Sequence, residues 1–291
     1  MKIPQQCPSI LASACYNPFM YKEFYHFREN PFNVTADPEF FFSSQRHTEA
    51  FSHLLYGIQQ RKGIIVISGE IGTGKTILCR TLLTRLGSDV KTALILNPNF
   101  SEIQLLKSII QDWGIPGEFR SKFDLMNALN TFLMEQNLLG NNVVLIIDEA
   151  QNLNIKQLEQ IRLLSNLETE KEKLLQLVLV GQPELEDKLN QPELRQLNQR
   201  VTVRFHMTPL KKEEVGQYIT HRISHALVSA QRAQRPVFTP TAVERIYNMS
   251  QGTPRVINIL CDRALLAGFT AETSLIDEHI IQRCIAEVVH A

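Results

Sequence analysis

The chain has 291 residues, 44% of them hydrophobic, which is enough for one large or two medium domains with packed cores. Its thirty basic and thirty acidic residues cancel, leaving no global field toward nucleic acid or an anionic membrane, although a local basic groove stays open. The five cysteines, at 7, 15, 79, 261 and 284, are odd in number and lack the paired spacing of a metal site, so they read as core-filling thiols in a reducing compartment; no run reaches the roughly 18 apolar residues of a membrane helix, and the chain is expected not to span a bilayer.

Residues 1–19, MKIPQQCPSILASACYNPF, hold three prolines and too short an apolar patch for a signal-peptide core. They are expected to form a flexible extension. From Met20 the stretch MYKEFYHFRENPFNVTADPEFFF mixes aromatics and prolines too densely for a regular helix and is too apolar for a solvated linker, so it should pack along a domain edge. A helix is predicted over about 44–61, capped by Ser43 or Ser44, with Phe51, Leu54, Leu55 and Ile58 at helical spacing.

From Gly63 short buried strands alternate with helices, the pattern of a mostly parallel sheet covered on both faces. Strands are predicted at about 64–68, 92–97, 143–148, 175–181 and 201–206, and helices at about 75–86, 101–113, 122–137, 155–168, 184–189 and 192–199. The first strand, Ile64-Ile65-Val66-Ile67, runs into GEIGTGKT: Gly69, four positions, then Gly74-Lys75-Thr76. That spacing between strand and helix is a P-loop, whose backbone N–H groups and helix N-terminus cradle polyphosphate. The cradle comprises Gly69, Glu70, Ile71, Gly72, Thr73, Gly74, Lys75, Thr76 and Ile77; Lys75 is suited to the β and γ phosphates and the Thr76 hydroxyl to magnesium.

The third strand ends in Asp148-Glu149, so both carboxylates emerge where open α/β sheets bind ligands. Asp148 suits the magnesium shell and Glu149 the attacking water, which points to hydrolysis; taken alone, the acids could instead cap the next helix. The fourth strand ends in Gln182, able to hydrogen-bond water or γ-phosphate, or to be an ordinary turn residue before Pro183. Arg195 and Arg200 lie in or at the end of the short helix before the last strand and would face outward, toward a neighbouring subunit or simply toward solvent. After Pro209 strands are expected to stop and helices to continue at 211–230, 239–250, 253–270 and 276–289. Arg255 falls in the first turn of a helix begun by Thr253-Pro254, where a guanidinium could fold over phosphates or pair on the surface.

The ordered blocks GEIGTGKT, LIIDEAQNL, NLETEKEKLLQLVLVGQPEL, LRQLNQR and GTPRVINILCDRAL resemble AAA+ ATPases of the general secretion pathway protein A type, also called ExeA-like. The resemblance runs from about Met20 to the C-terminus. It implies a P-loop AAA+ α/β domain with a five-stranded mostly parallel sheet, followed by a small helical lid. The corresponding division is 1–19 extension, 20–208 nucleotide-binding domain with its N-terminal linker, and 209–291 lid. It further implies hydrolysis of ATP to ADP and phosphate with Mg2+. Lys75 and Thr76 would be Walker A, Asp148 and Glu149 Walker B, Gln182 sensor 1 and Arg255 sensor 2. Arg200 would be the arginine finger, with Arg195 in reserve.

Full-length relatives continue into a transmembrane helix and a peptidoglycan-binding domain, whereas this chain ends at Ala291. The expectation is a stand-alone form, like the ATPase associated with mannose-sensitive haemagglutinin pilus biogenesis, or a piece of a longer chain. The implied partners are copies of itself in a ring or filament, a hexamer among the candidates, and a protein of a bacterial secretion or pilus machine. The implied location is the cytoplasm, or the inner-membrane periphery through a partner. A rival reading is a DNA-binding regulator of transposition; zero net charge weighs against DNA, while lysines such as Lys107 or Lys122 could suffice in a filament. A third is a slowly hydrolysing nucleotide switch.

Overall fold

The computed structural model describes residues 20–170, 172–228 and 235–289; the expected extension at 1–19 lies outside them, as do Cys7 and Cys15. In chain order the first elements are α1 (Met20–Phe24), α2 (Gln45–Gln59), β1 (Ile64–Gly69), α3 (Lys75–Arg85), β2 (Val90–Ile95), α4 (Glu102–Asp112), α5 (Lys122–Leu138) and β3 (Asn142–Ile147). There follow α6 (Ile155–Leu164), β4 (Gln176–Gly181), α7 (Glu184–Leu189), α8 (Arg195–Asn198) and β5 (Val201–Met207). The C-terminal part holds α9 (Lys212–Ala226), β6 (Val237–Phe238), α10 (Pro240–Ser250), α11 (Pro254–Thr270), β7 (Leu275–Ile276) and α12 (Glu278–Val289).

The five strands form one sheet in the order β2-β3-β4-β1-β5, and every pairing in it is parallel. Alternate residues of each strand supply opposite faces, as the pleat requires. Val66, Leu145, Ile147, Leu177 and Leu179 face a core shared with α4, α5 and α6, while Ile65, Ile67, Val144, Ile146, Val178 and Val180 face α2 and α3. Helix starts are set by local chemistry: Ser44 accepts the His47 N–H at the head of α2, and capping boxes Ser101/Gln104, Ser121/Asp124 and Asn154/Gln157 open α4, α5 and α6. Because β1 lies between β4 and β5, and β3 next to β4, the C-terminal ends of β1, β3 and β4 converge at one edge.

Several expectations need correction. The aromatic stretch after Met20 does contain a short helix, α1, and it packs on the C-terminal helices: Tyr21, Tyr25, Phe27, Phe32 and Phe40 share a buried cluster with Ile219, Ile257 and Leu265. The Tyr21 hydroxyl donates to Asp262, and the Tyr25 hydroxyl donates to the carbonyls of Leu265 and Thr273, each at 3.1 Å. Strands do not stop after Pro209, since β6 and β7 pair in parallel over two residues each. Helix α6 ends at Leu164, and the rest of its expected span turns back through an antiparallel bridge between Glu168 and Lys173. Helix α9 ends at Ala226, where Leu227 bridges to Phe27. Among the described residues no helix is long and apolar enough to cross a membrane.

Candidate nucleotide site

The phosphate loop joins β1 to α3. Gly72 and Gly74 have φ of 80° and 98°, a conformation that side chains resist. A Cβ on Gly72 would also stand 2.7 Å from the Cβ of Arg255, and one on Gly74 would stand 2.8 Å from Nε2 of His47. The glycines therefore let α11 and α2 close directly on the loop. Helix α3 begins with no side-chain cap, so its first-turn N–H groups remain available to an anion. The Lys75 ammonium donates to the carbonyls of Gly69, at 2.7 Å, and Glu70, at 2.9 Å. Burial pulls its pKa down, against the opposing pull of Glu149, Asp148 and Glu70.

Two carboxylates follow β3. Asp148 is buried; its Oδ2 accepts the Thr76 hydroxyl at 2.7 Å and its Oδ1 accepts the Glu149 N–H at 2.9 Å. Burial raises its pKa despite those two bonds. Glu149 sits at φ 53°, left-handed for a residue with a side chain, the kind of local strain that a surrounding structure must hold in place. Its Oε2 accepts from the side-chain amides of Gln151, at 2.6 Å, and Gln182, at 3.2 Å, and Gln151 Oε1 accepts the Gln182 N–H at 3.0 Å. Glu149 is thus oriented by two glutamines, of which the sequence pattern points only to Gln182. The signal for Gln151 was its place two residues beyond the acid, on the turn that ends the strand.

Lys75, Thr76, Glu149, Gln182 and Arg255 line one end of a single cleft of about 220 Å³. Arg255 reaches it from the start of α11, and its N–H donates to the Gly72 carbonyl at 3.3 Å. The other end is walled by Thr35, Phe40, Tyr218, Arg222 and Asn258, none of them singled out from sequence, and His47 lines the cleft beside the loop. Arg195 and Arg200 do not line it. Arg200 directly precedes β5, whose Val201 pairs with Ile64 while Met207 pairs with Gly69, so Arg200 lies at the sheet edge away from the loop. There it helps, after Lys173, to hold the Glu168 carboxyl below its usual range. Arg195 is exposed on α8, beside the Arg204–Glu186 ion pair.

The donor set fits a hard divalent cation. Thr76 and Asp148 bring a hydroxyl and a carboxylate together, and among the described residues no group of three or more His, Cys, Asp or Glu could hold an ion without help. Such sparse oxygen ligation suits Mg2+, which keeps water and takes substrate phosphates into its shell.

The family model described as AAA domain matches residues 58–189. General secretion pathway protein A of Aeromonas hydrophila is 42% identical over 251 residues, 86% of this chain. The chain belongs to the ExeA-like AAA+ family. It spans 45% of the length of that ExeA-like relative. Solved AAA+ folds align over most of the chain. Aeropyrum pernix ORC2, in ADPNP–ADP complexes, gives a TM-score of 0.67 at 16% identity, covering 90% of this chain and 72% of that one. Cdc6p of Pyrobaculum aerophilum gives 0.66 at 18%, covering 87% and 71%. The Thermotoga maritima RuvB branch migration motor gives 0.55 at 17%, covering 84% and 69%. At these identities the likeness is one of fold.

Proposed function

We propose that this ExeA-like protein hydrolyses ATP and that nucleotide-driven changes in its oligomer and lid assist assembly of a bacterial secretion or pilus system. The observation that carries the reading is the Glu149 carboxylate, held by Gln151 and Gln182 at the strand ends and lining the same cleft as Lys75. In the proposed reaction Lys75 leaves the Gly69 and Glu70 carbonyls for the β and γ phosphates. Glu149 accepts a proton from the attacking water, and Gln182 orients that water or the γ-phosphate. Thr76 and Asp148 would hold Mg2+, which when bound neutralises phosphate charge. Arg255 closes on the phosphates from the lid, and Arg200, or Arg195 in its place, reaches the site of a neighbouring copy. The similarity to general secretion pathway protein A of Aeromonas hydrophila supports the secretion context; the partner protein and attachment at the inner membrane belong to the proposal.

Glu149→Gln tests it. The variant should bind ATP with parental affinity and turn over about a thousandfold more slowly, because the amide cannot take the proton while the ground-state contacts survive. Ordinary turnover by the variant would remove Glu149 from the mechanism. A salt titration of DNA binding with and without ATP addresses the partner: ATP-dependent, salt-sensitive binding would replace the secretion reading with the DNA one.

A further inference from the structure

His47 is buried at the third position of α2, where no step proposed above uses it. Its Nδ1 lies 2.7 Å from the Ser44 hydroxyl and its Nε2 lies 3.2 Å from the Thr73 carbonyl, in the phosphate loop. A carbonyl can only accept, so the proton sits on Nε2 and Nδ1 accepts from Ser44. Burial pulls the imidazole pKa down, which keeps the ring neutral with that single tautomer. Phe41 packs edge-on against the ring, with centroids 5.5 Å apart. The first turn of α2 is in turn tied to α9, because Glu214 accepts the Gln45 N–H at 3.2 Å.

A phosphate nest needs its N–H groups turned inward. In a trans peptide the N–H points opposite to the carbonyl, so whatever holds the Thr73 carbonyl outward holds the Gly74 N–H toward the cleft. The backbone cannot do this alone. Gly74, at φ 98°, tolerates either orientation of that peptide, which is the cost of using glycine to make the loop. We propose that His47 is a positioning residue that locks the Thr73–Gly74 peptide with its N–H facing the bound nucleotide's phosphates. Losing the lock lets the peptide turn, putting a carbonyl where the phosphates need a donor.

This inference rests on the nucleotide-binding reading, and calorimetric titration of the full chain with ADP and with a non-hydrolysable ATP analogue separates the two. His47→Leu should weaken both nucleotides about tenfold, the effect of one buried hydrogen bond left unmade. His47→Gln, which retains an N–H at similar reach, should bind within about threefold of the parent. Both should melt close to the parent; if the leucine variant does not fold, His47→Asn, whose amide stops short of Thr73, takes its place with the same tenfold expectation. Parental affinity in the leucine or asparagine variant overturns the proposal, and so does a glutamine variant as weak as leucine with its melting unchanged. If Lys75→Ala loses nucleotide while His47→Leu keeps it, only the lock is wrong; if the parent binds neither nucleotide, the reading beneath it fails as well.

Discussion

At the phosphate end of the cleft, the loop at residues 69–77 and the acids at 148–149 arrive as two unbroken stretches, each at the end of a buried strand. At the other end the wall is pieced together from the segment at residues 34–42, from Tyr218 and Arg222 on α9, and from Asn258 on α11. Arg222 joins these pieces. It is buried with only 3% of its surface exposed, donates to the carbonyls of Pro31 at 2.5 Å and Asn33 at 2.9 Å, and lies 4.6 Å from the Phe40 ring centroid. One end thus concentrates strained backbone and desolvated charge where phosphates would sit, while the other is held by packing and satisfied hydrogen bonds. Substitutions at the first should remove chemistry and at the second should remove stability.

The sharpest contrast is Lys75→Ala. It removes the cation from the loop, and nucleotide binding measured by titration should become undetectable while the melting temperature holds. A variant that still bound ATP tightly would move the phosphates elsewhere in the cleft. Next in size is the contribution of a neighbour. If Arg200 acts in trans, Arg200→Ala should lower turnover about a thousandfold without touching ATP affinity. Mixing it with Lys75→Ala protein should restore part of the activity, because some interfaces then pair an intact loop with an intact arginine. If the mixture stays inactive while both variants assemble, Arg195 takes the same test, and failure of both would mean that one chain completes the site.

The contrast between the two ends also separates what could be read from the sequence from what could not. The loop, the acids and Gln182 are legible because each is a short pattern tied to a strand end, where local residues dictate both conformation and chemistry. The parallel sheet follows from strand–helix alternation, and α7 falls where its residues predicted it. Arg222 and Tyr218, four apart on a helix, look like any amphipathic pair; their meaning comes from residues nearly two hundred positions away. The same holds for Tyr25, whose hydroxyl partners lie on and beyond α11. Two-residue strands such as β6 and β7 are too short to show alternation, and His47 is one polar residue in the first turn of a helix until Thr73 is placed beside it.

At the packed end, Arg222→Met keeps much of the aliphatic stem and removes the donors. It strands two backbone carbonyls and the contact over Phe40, and should lower unfolding free energy by about 3 kcal/mol. Urea unfolding checks this, with the midpoint expected to fall and the slope to stay the same. An unchanged midpoint would show that water satisfies Pro31 and Asn33, and that the arginine is kept for the cleft and not for the fold.

The smallest expected effect has the opposite sign. Asp148 has its carboxyl pKa raised by burial, so the folded chain holds that proton more tightly than the unfolded one does. The resulting penalty on folding is fully present above the folded-state pKa and absent below the unfolded value of about 4. Asp148→Asn removes it, and its amide can still face the Thr76 hydroxyl, which is able to accept as well as donate. At neutral pH the variant should therefore melt slightly above the parent, and the advantage should shrink as the pH falls toward about 4. Adding Mg2+ with ATP should reverse the ranking, since the parent gains stability from a ligand that the variant binds poorly. A variant that melts lower than the parent at neutral pH without ligand would mean that the bonds from Thr76 and Glu149 outweigh the desolvation of the carboxylate, and that this end of the cleft, like the other, is built for stability.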